Sequence, residues 1–153
     1  MEYFDEPLGK KGKIISCAAL GLVGLATMLA ILVEAREWQD VYAYIIPAFL
    51  GAAMSSLHLK VFFGQKGFYG LVAAALGAPI VTTVGAIYGG VAFSLIMFVR
   101  ENTLVLEALI YAPFVCMWIV WAIIAESWKV AVVWATSMGA LHAVVRFLRI
   151  RQL

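Results

Sequence analysis

Polar positions punctuate this chain at wide intervals, and the stretches between them are continuously apolar. Ile14 to Val33 runs 20 residues without a charge, and Phe68 to Val99 runs 32. An uncharged apolar run of about 18 or more residues reads as a membrane-spanning helix. The runs do not alternate polar with apolar, which excludes the strands of a transmembrane barrel. The pattern predicts an all-α polytopic membrane protein with a polar arm at 1–13, a helical bundle over 14–148 and a basic tail at 149–153.

Inside the bundle, helices are expected at about 14–33, 41–62, 104–125 and 130–148, separated by "EAREWQD", "GQKG", "RENT" and "ESWK". The 68–99 run is too long for one span. As a single helix it would reach ~48 Å at 1.5 Å per residue, against a hydrocarbon core of ~30 Å. It also holds Pro79, which removes a helix hydrogen bond, and Gly77, Gly85, Gly89 and Gly90, which weaken the helix further. A broken or re-entrant middle hairpin is therefore expected, giving six membrane-embedded segments arranged as three hairpins. The alternative is four spanning helices with a C-terminal interfacial helix.

Basic residues test this arrangement, because cytoplasmic loops carry an excess of Lys and Arg. With three hairpins, nine basic residues fall on the side of both termini and two, Arg36 and Lys129, on the other. One long middle helix with a spanning final segment gives six against five, which is no bias. Both termini are thus expected in the cytoplasm and the chain in the inner membrane. Trp38, Tyr42, Tyr44, Trp128 and Trp134 fit an aromatic belt at the outer interface. The basic first segment resembles a signal peptide, but its apolar core exceeds the usual ~7–15 residues.

Two stretches rhyme. "GAAMSSLHLKVFF" (51–63) and "ATSMGALHAVVRF" (135–147) match at Met54/Met138, Leu57/Leu141, His58/His142, Val61/Val145 and Phe63/Phe147. The helices before them also match around Glu34 and Glu126. The reading is a duplicated hairpin, 14–63 and 104–148, with parallel orientation as in many transporters.

His58 and His142 are the chain's two histidines. Ionisable groups inside a membrane are rare and tend to be functional. Four roles suit the pair: axial ligands of a b-type haem, a proton-linked gate, contacts to a lipid or quinone headgroup, or plain interhelical hydrogen bonds. Glu107 is the one acid within an apolar segment, near Arg100. Gly51, Ser55, Gly85, Gly89 and Gly139 form small-residue stripes that let helices approach closely, and Pro79 is a candidate hinge. Cys17 and Cys116 sit in apolar helices and read as small packing residues.

No Walker loop, HExxH, nucleophile–base motif or dinucleotide fingerprint appears, so no enzyme activity and no resident cofactor are expected. A net charge of +2 gives no reason to expect nucleic acid. The expected partners are the lipid bilayer and further copies of the chain or other membrane subunits. The function expected is a small membrane protein forming or supporting a solute or ion passage, or a membrane-embedded complex. A bis-histidine haem anchor of a redox complex and a phage-type holin are the alternatives.

Overall fold

A computed structural model describes residues 8–36, 40–101 and 106–151, without the side chains of 58–60, 101 and 106. It is all-helical. The order is α1 (Lys10–Ala35), α2 (Val41–Leu59), a short 3₁₀ turn (Lys60–Phe62), α3 (Gly67–Glu101), α4 (Leu106–Glu126) and α5 (Trp128–Ile150). Four of these, α1, α3, α4 and α5, are long and apolar enough to cross a membrane. The outward face of α4 carries Ile110, Tyr111, Phe114 and Trp118, all exposed. A soluble protein rarely leaves such a continuous apolar face to water; lipid accepts it.

Helix ends follow local chemistry. Arg36 caps α1 in the left-handed region (φ 55°), and its N–H reaches the carbonyls of Leu32 and Val33, which closes the last turn. A single residue, Ser127, separates α4 from α5; its side chain accepts from the Val130 N–H at 3.4 Å, as an N-cap does. The break expected at "ESWK" is therefore real but only one residue wide.

The middle hairpin does not form. Gly67–Glu101 is one unbroken helix that contains Pro79, about 52 Å long at 1.5 Å per residue. The six-segment arrangement fails with it. The physical reason is that a turn within an apolar run exposes backbone groups at several kcal/mol each where no water can satisfy them. One proline costs about 3 kcal/mol. The glycines that looked like breaks are contacts instead. A Cβ on Gly51 of α2 would fall on the Gly85 carbonyl and Gly89 amide of α3. A Cβ on Gly90 would lie 2.5 Å from Cα of Pro113 in α4.

The same device joins α1 to α2, where a Cβ on Gly24 would lie 2.6 Å from the Ala48 oxygen. Thus α1, α2, α3 and α4 pack in sequence order, each antiparallel to the last. α5 then returns along α1, from the Glu34–Lys129 ion pair at 3.1 Å to the α2–α3 connection, where Gly64 abuts Val145 and Arg146. The start of α1 and the end of α5 consequently lie at one end of the bundle. The core divides into a large cluster around Leu20, Phe63, Val81, Met138 and Val145 and a smaller one of Ile31, Ile124 and Val130. α1 and α2 share a long interface, whereas α4 and α5 share a small one.

Candidate functional site

α5 carries His142 into the bundle, with Leu141 and Val145 buried beside it. The imidazole is 8% exposed. Its Nδ1 accepts the Gly64 backbone N–H at 3.2 Å. Gly64 has φ 76°, a conformation glycine adopts at no steric cost, and that conformation turns its N–H toward α5. An Nδ1 that accepts leaves the proton of a neutral ring on Nε2. That Nε2 is buried and has no hydrogen-bond partner among the described residues. A nitrogen that holds a proton has no lone pair for iron.

His58 lies at the end of α2, six positions before Gly64, so both histidines belong to the same end of the bundle. The His58 side chain lies outside the described part of the structure. Ser55, predicted to line the same stripe, is fully buried, and its hydroxyl donates to the Ala52 carbonyl at 2.7 Å within its own helix. Glu107 stands exposed in the first turn of α4, where a carboxylate complements the helix dipole. The cation expected beside it, Arg100, forms an ion pair with Asp40 at 2.9 Å.

The feature that joins all five helices is a cavity of about 260 Å³. Its lining takes Leu20, Thr27 and Ile31 from α1, Tyr44 and Pro47 from α2, Gly85, Gly89 and Phe93 from α3, Cys116 and Ile119 from α4, and Trp134 and Met138 from α5. The interfaces α1–α2, α2–α3, α3–α4, α4–α5 and α5–α1 follow one another around it.

Of the polar groups in the lining, those of Thr27, Thr82 and Trp134 are engaged internally. Thr27 Oγ1 donates to the Val23 carbonyl at 2.9 Å. Thr82 Oγ1 donates to the Ala78 carbonyl at 2.8 Å and accepts from Trp134 Nε1 at 2.9 Å. Next to it, Trp121 Nε1 donates to Thr83 Oγ1 at 3.0 Å, and the two indoles meet edge to face at 5.7 Å. Trp134 is therefore not a residue of the outer aromatic belt. Tyr42 and Trp128 are exposed, as a belt requires; Trp38 lies outside the described residues.

Sequence reasoning missed the cavity and its two Trp–Thr bonds. One signal was present: Thr82 and Thr83 are adjacent hydroxyls deep in the longest apolar run, and buried hydroxyls need partners. Gly51, Gly85 and Gly89 are brought together as predicted stripes would be, while Gly139 has open space around its Cα. Pro79 sits within an unbroken helix. Among the described residues no group of three or more His, Cys, Asp or Glu is placed to hold a metal ion. Comparison with family models, curated proteins and solved structures finds no match to this chain.

Proposed function

We propose that the chain is a small multi-pass protein of the inner membrane whose bundle supports a passage or membrane-embedded complex, and that its working part is the chamber its five helices line. The observation that carries this reading is the cavity bounded by all five helices. Its lining limits the passage to apolar solutes. A cation crossing the bundle needs several carbonyls, hydroxyls or carboxylates to replace its hydration shell, and the side chains of this largely apolar lining offer only the scattered hydroxyls of Thr27, Tyr44 and Thr82.

Orientation follows from the ends of the bundle. Lys10, Lys11, Lys13 and Arg146, Arg149 and Arg151 gather where α1 begins and α5 ends. That end is the cytoplasmic one by the excess of Lys and Arg, and both termini belong to it. Assembly into a homo-oligomer is supported by α5. Ala135, Gly139 and Ala143 form an exposed small-residue face, and small residues mark helix–helix interfaces in membranes. The haem reading has less support, because His142 accepts at Nδ1 and holds its proton on Nε2.

The test is reconstitution into liposomes. Potassium flux and transfer of a fluorescent fatty acid are measured side by side. The reading predicts fatty-acid transfer above protein-free vesicles without potassium flux; saturable potassium flux alone refutes it.

A further inference from the structure

The shape and chemistry of the chamber narrow what it takes. Along α1 it extends from Leu20 to Ile31, about 16 Å at 1.5 Å per residue. A volume of about 260 Å³ drawn out over that length is narrow. It suits one flexible chain better than a ring system. For comparison, a compact apolar cavity of roughly 150 Å³ accommodates benzene and stays free of water.

Polarity points the same way. The hydroxyl donors of Thr27 and Thr82 and the indole N–H of Trp134 are all engaged within the protein. A headgroup, quinone carbonyl or hydrated ion in their place would lose hydrogen bonds to water and gain few in return. A saturated chain loses nothing.

Access is lateral. Val115 and Ile119 of α4 line the chamber and are about half exposed, so the chamber is open beside α4. In a membrane that opening meets acyl chains.

We infer that the chamber is a binding site for a single acyl chain of a bilayer phospholipid, which enters sideways beside α4 and lies against the Trp134–Thr82 pair. This rests on the membrane-embedded chamber proposed above. Cys116 is the gatekeeping position: it lines the α4 wall and is partly buried. A larger side chain there fills the chamber from within.

The experiment uses full-length protein in liposomes of phospholipid brominated on its acyl chains, a short-range quencher of tryptophan. Two single-tryptophan forms are compared, one keeping Trp134 and one keeping Trp118, which is 74% exposed on the outer face of α4. Trp118 reports membrane embedding alone. The inference predicts that Trp134 loses as much emission as Trp118, and that Cys116→Phe restores Trp134 emission while leaving Trp118 quenched. Ile110→Phe, on the outer face of the same helix, adds bulk away from the chamber and leaves Trp134 quenched. Helix content by circular dichroism confirms that both variants fold. Trp134 unquenched while Trp118 is quenched overturns the acyl-chain site and leaves the membrane reading standing. Trp118 unquenched overturns the membrane reading itself. Trp134 quenched equally in Cys116→Phe also overturns the site.

Discussion

Gly51→Ala places one methyl group where the backbones of α2 and α3 touch. The new Cβ would coincide with the Gly85 carbonyl and Gly89 amide and lie 2.7 Å from Gly89 Cα. Carbon atoms rest at about 3.5–4.0 Å, so the helices must separate by roughly 1 Å. A gap of that size forfeits a quarter to a half of each dispersion contact it opens, here along the interface that also holds Ser55 and Pro47. Overpacking of this kind costs about 1–3 kcal/mol. Alanine's helix preference over glycine returns at most ~1 kcal/mol. Because the atoms met are backbone atoms that cannot rotate away, the overpacking cost falls in the upper half of its range; the net expectation is a loss of about 1–2 kcal/mol, and for a chain of this size a melting point lower by roughly 2–8 °C. Gly139→Ala is the control: nothing lies within 4 Å of its new Cβ, so only the helix preference remains and the melting point holds or rises. The assay is a thermal melt in detergent, read by a thiol-reactive dye. Cys17, whose thiol donates to the Ala53 carbonyl across the α1–α2 interface at 3.1 Å, becomes reactive as the helices part. A Gly51→Ala protein that melts with or above the unaltered chain refutes the argument that α2 and α3 meet backbone to backbone.

Further outcomes are expected. His142→Phe leaves the buried Gly64 N–H without its acceptor and should lower stability by about 1–3 kcal/mol in the same melt; an unchanged melt would mean that bond contributes nothing. Trp134→Phe and Thr82→Val remove the two sides of one hydrogen bond, so a double-mutant cycle should give a coupling of at least ~0.5 kcal/mol. Additive effects would argue that the pair does not interact in the membrane. Gly139→Leu fills the exposed small-residue face of α5 and should shift an oligomer to monomer by light scattering without loss of helix content. An unshifted oligomer would remove that face as the subunit contact.

The helices on either side of the acidic loop were legible because charge marks their limits. Ile14 to Val33 falls inside α1, and 41–62 covers α2 with its 3₁₀ turn. The "ESWK" break was legible through the charges of Glu126 and Lys129, although the capping role of Ser127 was not read from it. α3 was misread because glycine and proline were weighed as they act in water. In an apolar setting the backbone keeps its helical bonds, and small residues serve contact instead. The partner of His142 could not be read, since Gly64 lies 78 positions away and no local pattern encodes it. Trp134 was misassigned for a similar reason: a tryptophan near a helix start suits the interface, and only tertiary packing shows that its N–H reaches Thr82. The chamber was the least legible feature, because it is lined by residues of all five helices, and no single segment carries a mark of it.

The backbone-to-backbone seams have a consequence for how this chain can vary through descent. Gly24, Gly51 and Gly90 each face another helix too closely for any side chain. Across the outer face of α4, by contrast, Ile110, Phe114 and Trp118 project outward and need only remain apolar. Substitutions should therefore accumulate freely over most of the lipid-facing surface and hardly at all along three thin seams. Related chains would then diverge in nearly every letter while keeping a few glycines in register, so kinship should be sought in the spacing of those glycines.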